Sequence, residues 1–144
     1  MANVLQFNKS MSEKMEDNRI LIVDDEPLVR DLLVSHLSRE GFATVTAEDG
    51  VKGLEMFFKV KPRLVILDLK MPRMTGIEFL NVLKPSIELD CAVIVLTGHG
   101  TSKDIESCYR LGVQSFVRKP VNLFEILGIV RRNFQILAYS DQLK

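Results

Sequence analysis

Short apolar runs alternate along this chain with longer stretches in which apolar residues recur at helical spacing. Three runs contain no polar residue: ILIV at 20–23, LVIL at 64–67 and AVIVL at 92–96. A strand that is apolar on both faces belongs in a sheet covered on both sides, which is typical of parallel α/β packing. Two more strand-like runs occur, ATVTA at 43–47 and VQSFV at 113–117. The pattern therefore predicts five strands, with the three apolar ones inside the sheet.

Helical spacing predicts one helix after each strand. The first covers 27–39, with Pro27 in its first turn and Gly41 just beyond its end. Its expected apolar stripe comprises Leu28, Val29, Leu32, Leu33 and Leu37. The other helices are expected over 50–59, stopped by Pro62, over 75–83, ended by Pro85, over about 102–111, closed by Gly112, and over about 122–136. Five βα units with right-handed crossovers predict an α/β fold, a doubly wound five-stranded parallel sheet of the flavodoxin-like type.

The chain has one predicted domain between two polar ends. Its 144 residues, 47% of them hydrophobic, suffice for a single core. We expect a polar N-terminal tail over 1–18, the folded domain over 19–138 and a C-terminal tail over 139–144. The 24 residues after Pro120 have room for the last helix but not for another domain. We therefore expect either a stand-alone domain or the N-terminal part of a longer protein.

Charge and cysteine content narrow the possible functions. Equal numbers of basic and acidic residues, 19 each, argue against the broad positive field of a sequence-independent nucleic-acid binder. The N-terminus lacks a signal-peptide core, and no run of about 18 apolar residues predicts a membrane span. Cys91 and Cys108 have neither CxxC spacing nor a histidine at metal-ligand spacing. We expect buried free thiols and a cytoplasmic protein.

Polar residues that can carry chemistry follow four of the predicted strands. The first strand runs directly into three acids, Asp24 and Asp25 followed by Glu26, and Asp68 ends the third strand. Thr97 ends the fourth strand, and Lys119 ends the fifth. The carboxyl ends of parallel strands meet at one edge of a doubly wound sheet, and the ligand site is expected there. The fold should therefore bring the carboxylates, the hydroxyl and the ammonium together.

Elementary electrostatics predicts what such a group of side chains would hold. Two carboxylates about 4 Å apart repel each other by roughly 4 kcal/mol at an effective dielectric constant near 20. Either a proton or a cation must relieve this repulsion, and oxygen ligands on loop ends with room for water suit Mg²⁺. A carboxylate beside Mg²⁺ and near Lys119 can attack a phosphoryl group, while Thr97 can donate a hydrogen bond to its oxygens.

Four motifs that contain these residues resemble one family. They are ILIVDDEP, LVILDLKMPRMTG, VIVLTGH and SFVRKP, which occur in the order and approximate spacing of the receiver domains of two-component response regulators. The resemblance covers about residues 18–137. It implies a signalling switch, not an enzyme with a separate substrate: the domain would catalyse only its own phosphotransfer and slow autodephosphorylation. The implied donor is a histidine kinase or a phosphorelay protein.

The resemblance also implies a role for each residue of the metal site. Asp68 is the implied phosphoacceptor. Asp25 is an implied direct ligand of Mg²⁺, together with Asp68 and the backbone carbonyl of Lys70. Asp24 is expected to hold the water shell of the metal.

The remaining implied roles concern the phosphoryl group and the response to it. Thr97 and Lys119 are expected to bind the phosphoryl oxygens, and Phe116 is the implied aromatic switch. The peptide bond between Lys119 and Pro120 is typically cis in the family. The family's output surface, for a downstream effector or a second copy of the chain, is built from helix 4, strand 5 and helix 5.

The last helix is expected to take part in this output surface. Its predicted core stripe comprises Leu123, Leu127, Val130, Phe134 and Leu137. Phe124, Ile126, Ile129 and Ile136 are expected beside that stripe, which makes the apolar band wider than one sheet contact requires. We expect either that helix 4 covers part of this extra apolar surface, or that the surface binds a partner or a second copy of the chain.

Two alternative functions use related chemistry. A phosphohydrolase of the haloacid dehalogenase type also has an aspartate nucleophile and Mg²⁺, but it requires an acid two residues later, where this chain has Lys70. A flavodoxin-like flavin binder requires a phosphate loop rich in serine, threonine and glycine after the first strand. The DDEP sequence at 24–27 would repel that phosphate.

Overall fold

The computed structural model describes residues 18–98 and 102–143, with only the backbone for 85–89. The predicted N-terminal tail therefore lies almost entirely outside the described residues. The strands are β1 (Arg19–Val23), β2 (Ala43–Ala47), β3 (Leu64–Asp68), β4 (Ala92–Thr97) and β5 (Ser115–Arg118). All neighbouring strands pair in parallel, in the order β2-β1-β3-β4-β5. The predicted doubly wound α/β fold is confirmed.

Five helices cover the two faces of the sheet. They are α1 (Pro27–Arg39), α2 (Gly50–Val60), α3 (Gly76–Leu89), α4 (Ser102–Arg110) and α5 (Leu123–Gln142). Buried residues of α1 and α5 share one core with Ile20, Ile22 and Ile66. Buried residues of α2, α3 and α4 share the other core with Leu21 and Val65. Because side chains alternate along a strand, the polar-free sequences of β1 and β3 supply both cores.

The predicted stripe of α1 is only partly correct. Leu33 and Leu37 are fully buried, but Leu28 and Leu32 are 71% and 47% exposed. Leu28 lies roughly 140° from Leu33 round a helix with 3.6 residues per turn, so both cannot face one sheet. The leucines outside the core border a groove of about 620 Å³ that also reaches Lys119.

Two helices continue past their predicted ends. The backbone of α3 passes through Pro85 to Leu89. An interior proline costs about 3 kcal/mol, which the burial of Phe79, Leu80 and Leu83 one or two turns earlier can offset.

The last helix runs to Gln142, six residues beyond its predicted end, so most of the expected C-terminal tail is helical. No glycine or proline interrupts residues 137–142. Near the helix end, the guanidinium of Arg63 donates to both carboxylate oxygens of Asp141, at 3.0 and 3.3 Å. Arg63 also donates to the carbonyl of Asp90 at 3.0 Å, so one side chain connects three segments at the amino-terminal edge of the sheet.

The inward face of α5 differs from the predicted stripe. Leu127 and Val130 are buried as expected, but so is Ile126, which is fully inaccessible. Leu123 and Phe134 only pack against the edge of this core. The expectation that Ile126 lies beside the stripe was wrong, because Ile126 packs in the core together with Leu127 and Val130. A charge at this position would therefore disrupt the core and could not probe a surface.

Both cysteines are free and buried, as predicted. Burial raises the pKa of the Cys91 thiol to about 12 and that of Cys108 to about 11, and nearby acids add to both effects. Thiols with such pKa values are almost wholly protonated at neutral pH and are poor nucleophiles. Among the helices described here, none is both long enough and apolar enough to cross a bilayer.

Candidate functional site

The first two acids follow β1 and differ in exposure. Asp24 is fully buried, whereas Asp25 is exposed. Asp24 is held by its own turn, because one carboxylate oxygen accepts a hydrogen bond of 2.9 Å from the backbone N–H of Glu26. Its backbone carbonyl accepts a hydrogen bond of 2.7 Å from Arg30. The position of the Asp24 carboxylate is therefore fixed by the start of α1.

Asp68 is the last residue of β3 and is only 6% exposed. One of its carboxylate oxygens accepts a hydrogen bond of 3.2 Å from the backbone N–H of Lys70. The start of α3 lies directly against this strand end: a Cβ at Gly76 would come within 2.7 Å of the Leu69 Cα and 3.0 Å of the Asp68 carbonyl oxygen. Only glycine fits there, so the loop after Asp68 can fold tightly beside the carboxylate.

The side-chain ammonium of Lys119 contacts three acids of the site. Its Nζ lies 2.9 Å from Glu26 Oε1, 3.0 Å from Asp24 Oδ2 and 3.3 Å from Asp68 Oδ2. The backbone N–H of Lys119 donates to the carbonyl of Thr97 at 2.7 Å, which fixes the end of β5 against that of β4. The Lys119–Pro120 peptide bond is cis, as the resemblance implied.

The contact with Glu26 was not foreseen. The sequence contained a signal for it, since Glu26 directly follows the two aspartates that were assigned to the site. Strand positions do not show how far a long side chain reaches. Glu26 and Lys119 are 93 residues apart in the sequence, so their spacing gave no indication of the contact either.

The protonation of these groups follows from their burial and their mutual charge. Burial raises the pKa of Asp24, and the hydrogen bond from the Glu26 N–H together with the nearby Lys119 ammonium opposes this effect only in part. Burial and then the charge of Asp24 raise the pKa of Asp68. Burial alone would lower the pKa of Lys119, but its close contacts with Glu26 and Asp24 raise that pKa above the usual lysine value. The site therefore contains more negative charge than its lysine can neutralise.

The arrangement fits a hard divalent cation. Asp24, Asp25, Glu26 and Asp68 each place a carboxylate oxygen within 4.8 Å of the others. Asp24 Oδ2 is buried and accepts no well-aligned hydrogen bond from the described residues, although the Lys119 ammonium lies 3.0 Å away. A cavity of about 230 Å³ adjoins these acids and is lined by Asp25, Glu26, Asp68, Lys70, Gly98 and Lys119. Carboxylates around a space with room for water match the preference of Mg²⁺.

The two remaining predicted site residues lie on neighbouring strands. Thr97 is half-buried at the end of β4, opposite Arg118 in the strand register. Phe116 is half-buried on β5, and its ring packs against Tyr109 of α4 with ring centroids 4.9 Å apart. This aromatic pair was not predicted. His99 and its neighbours at 100 and 101 lie outside the described residues.

Comparison with known families decides between the interpretations of this site. A family model for the response regulator receiver domain matches residues 20–131. The chain belongs to this family. The identification made from the four motifs is confirmed, and the match favours the receiver interpretation over the phosphohydrolase and the flavin binder. Receiver domains are mostly signalling switches, and they generally bind Mg²⁺ at an acidic pocket.

Two curated relatives illustrate the range of architectures in which this receiver sequence occurs. Sporulation initiation phosphotransferase F of Bacillus subtilis (strain 168) is 36% identical over 118 residues, which cover 82% of this chain and 94% of the relative. Regulatory protein AtoC of Escherichia coli (strain K12) is 35% identical over 127 residues, which cover 88% of this chain. The matched segment is only 27% of AtoC, so this chain spans about a quarter of that relative.

Solved structures agree with this assignment. The signal receiver domain of a putative LuxO repressor protein from Vibrio parahaemolyticus superposes with a TM-score of 0.81 at 25% identity, covering 88% of this chain and 97% of the other. The receiver domain of NtrX from Brucella abortus superposes with a TM-score of 0.73 at 33% identity, covering 81% and 98%. Both comparisons cover nearly the whole of a solved receiver domain.

Proposed function

We propose that the chain is a phosphorylation-activated signalling switch in which Asp68 accepts the phosphoryl group. The donor would be the phosphohistidine of a histidine kinase or of a phosphorelay protein. The proposal rests on one observation above all: Asp68 Oδ2 lies 3.3 Å from the Lys119 ammonium, beside a cavity of about 230 Å³. A carboxylate in this position can act as a nucleophile, and the adjacent positive charge can stabilise the transferring oxygens.

The proposed transfer forms one bond and breaks one bond. An oxygen of Asp68 attacks the phosphorus atom while the bond from phosphorus to the donor nitrogen breaks. The electron pair of that bond stays on the donor imidazole, which takes up a proton from water. Lys119 then donates a hydrogen bond to one phosphoryl oxygen, and the hydroxyl of Thr97 donates to another. The Asp68 pKa is raised by burial, so a nearby cation must favour the ionised, nucleophilic form.

Mg²⁺ is the cation that the proposal assigns to this role. Asp25, Asp68 and the backbone carbonyl of Lys70 would hold it directly, and Asp24 would hold its water shell. When bound, it offsets the charge of the acids and of the incoming phosphoryl oxygens. The support is the close approach of four carboxylates and the unaligned buried oxygen of Asp24.

The proposed output surface consists of α4, β5 and α5. Its support is an aromatic contact on two of these elements, in which Tyr109 is 58% exposed and covers the half-buried ring of Phe116. Phosphorylation would draw Thr97 toward the phosphoryl group and let Phe116 turn inward, which would alter this surface. A downstream effector or a second copy of the chain would bind it.

The proposed location is the cytoplasm, where free thiols such as Cys91 stay reduced.

A labelling experiment with a small phosphodonor tests the proposal. Purified protein with Mg²⁺ and acetyl phosphate should gain one phosphoryl group per chain, labile to acid and to base. Asp68→Asn should abolish the labelling, because a neutral amide is not the required nucleophile. Asp90→Asn is a suitable control, since Asp90 is exposed and lies just before β4, at the opposite end of that strand from Thr97. Equal, stable labelling of wild type and Asp68→Asn would refute the proposal.

The same preparation distinguishes a switch from a phosphohydrolase. A switch loses its own phosphate slowly and does not hydrolyse free phosphomonoesters over many turnovers. Sustained hydrolysis of a phosphomonoester that disappears in Asp68→Asn would instead indicate an enzyme with a separate substrate.

A further inference from the structure

Glu26 differs from the other acids around Lys119 in its exposure and in its freedom to move. Its side chain is 57% exposed, whereas those of Asp24 and Asp68 are 0% and 8% exposed. Its Oε1 nevertheless makes the shortest of the three contacts with the lysine Nζ, at 2.9 Å. The shortest contact of the lysine is therefore made by the acid that solvent reaches most easily.

The backbone of Glu26 is fixed while its side chain is not. Its N–H donates to Asp24 at 2.9 Å, and its carbonyl accepts from the N–H of Arg30 at 3.2 Å. Glu26 is the N-cap residue of α1, yet its carboxylate is directed to Lys119 and not to the first turn of the helix. Rotation about the side-chain bonds can therefore remove the carboxylate from the lysine without disturbing the fold.

A phosphoryl group on Asp68 would have to compete for this lysine. An ammonium has three donors, and three carboxylates already surround Nζ within 3.3 Å. Asp24 is buried and held by its turn, and Asp68 carries the incoming group. Glu26 is the partner whose release costs least, because its carboxylate returns directly to water.

We infer that Glu26 is a displaceable counter-ion of Lys119, which holds the ammonium before phosphorylation and must leave it when the phosphoryl group arrives. This inference rests on the proposed function. Glu26 is a positioning residue that acts through Lys119. It slows the capture of phosphoryl groups in two ways: it occupies a donor of the lysine, and it adds a negative charge at the entrance to the cavity.

The charges of the site determine whether Glu26→Gln speeds or slows phosphorylation. With a divalent cation bound, four ionised carboxylates and one ammonium leave one net negative charge. Glu26→Gln removes that charge and leaves a neutral site, which repels an anionic donor less. Exposed ion pairs contribute little, so we expect a two- to fivefold increase in the second-order rate constant for acetyl phosphate, not a change of several decades.

The experiment compares four proteins at saturating Mg²⁺: wild type, Glu26→Gln, Glu26→Asp and the control Glu55→Gln. Glu55 is an exposed acid on α2 that pairs with Lys52 at 3.7 Å, so its substitution changes the net charge of the protein equally. The rate constant should rise in Glu26→Gln, rise less in Glu26→Asp and stay unchanged in Glu55→Gln. Beryllofluoride affinity, measured by fluorine NMR, should follow the same order without any turnover. The increase in rate constant of Glu26→Gln over wild type should become smaller as ionic strength increases. An increase with a purely structural cause would not depend on ionic strength in this way.

Two results would overturn the inference while leaving the proposed function intact. One is that Asp68 is labelled in wild type, but Glu26→Gln reacts no faster and binds beryllofluoride no more tightly. The other is a tenfold or greater loss of Mg²⁺ affinity in Glu26→Gln, measured by calorimetry, which would make Glu26 a metal ligand. If wild type itself takes up no phosphoryl group, the proposed function fails and this inference fails with it.

Discussion

Lys119 Nζ lies 3.3 Å from Asp68 Oδ2, although 51 residues separate them in the sequence. Parallel pairing of β3 with β4 and of β4 with β5 places both residues at the same edge of the sheet. The contact has opposite consequences for the two expected ligands of the site. A lysine repels a metal ion, but it attracts the phosphoryl group that the metal ion also attracts.

Lys119→Ala should therefore separate metal binding from phosphorylation. Loss of the ammonium should strengthen Mg²⁺ binding several-fold, because the acids lose their internal counter-charge. It should also slow phosphorylation by acetyl phosphate about 100-fold, the usual effect of removing one donor to a developing charge. Calorimetry and phosphate labelling measure the two effects.

The control for Lys119→Ala is Arg118→Ala, which removes an exposed positive charge from the neighbouring position. This variant should leave both quantities within twofold of wild type. If Lys119→Ala weakened Mg²⁺ binding, the balance of charges described for the site would be incorrect.

Asp68→Asn should stabilise the metal-free protein at neutral pH. Burial raises the pKa of Asp68 above the ordinary value of 3.8, so the folded state disfavours its ionised form. The destabilisation caused by burying the ionised carboxylate is at its maximum when the pH is above the raised pKa. It decreases as the pH falls through that pKa and is absent below 3.8. At pH 7 we expect a gain of about 1 kcal/mol, or ~3 °C in Tm, since lost pairing with Lys119 offsets part of the relief.

Thermal unfolding of wild type and Asp68→Asn at several pH values checks this expectation. The difference in Tm should decrease steadily as the pH is lowered toward 4. Excess Mg²⁺ should reduce or reverse it at pH 7, because the wild-type site gains more from the ion. A wild type that is more stable than Asp68→Asn at pH 7 without metal would show that Lys119 more than compensates for the burial of the carboxylate.

The position of the candidate site could be predicted because it depends on strand ends. Runs such as ILIV and LVIL identify their strands by composition alone, and the parallel topology then brings Asp24, Asp68, Thr97 and Lys119 to one edge. No side-chain conformation enters this argument. The bond between Lys119 and Glu26 could not be obtained in this way, since it depends on the rotamers of two long side chains.

Helix ends and helix faces were harder to predict for related reasons. Pro85 was expected to end α3, but packing of the preceding turns outweighs its local cost. The stripe of α1 contained more leucines than one sheet contact can cover, so Leu28 and Leu32 lie outside it. Hydrophobic spacing identifies an apolar helix face but not which part of a wide face meets the sheet.

The contact between Arg63 and Asp141 offers a separate test of the C-terminal helix. The Asp141 side chain is 44% exposed and receives two hydrogen bonds from the guanidinium. Asp141→Asn should loosen the last turns of α5 and lower stability by about 0.5–1 kcal/mol, the upper range for a bidentate surface pair. Hydrogen exchange should accelerate at residues 137–142 while the amides of β3 keep their protection.

A second variant tests whether the effect of Asp141→Asn depends on Arg63. Arg63→Lys keeps the positive charge but loses the fork geometry, so it should weaken the same helix turns. Adding Asp141→Asn to Arg63→Lys should then have little further effect. Full additivity of the two substitutions would mean that the residues act independently.

The packing of Tyr109 on Phe116 leads to the last prediction, which concerns the equilibrium of the switch. The rings lie 4.9 Å apart between centroids, at an angle of 49°, and Tyr109 is 58% exposed. An aromatic pair contributes about 0.5–1.5 kcal/mol beyond its buried area. In the proposed mechanism this energy favours the unphosphorylated position of Phe116, and any ligand that selects the other position must overcome it.

Tyr109→Ala should therefore raise beryllofluoride affinity about two- to tenfold at saturating Mg²⁺. Tyr109→Phe keeps the ring and should bind like wild type. Fluorine NMR measures the affinities, and sedimentation with and without beryllofluoride reports whether self-association changes with them. Unchanged affinity in Tyr109→Ala would mean that Phe116 does not leave Tyr109 when the site is occupied, and the output surface would then have to respond through another element.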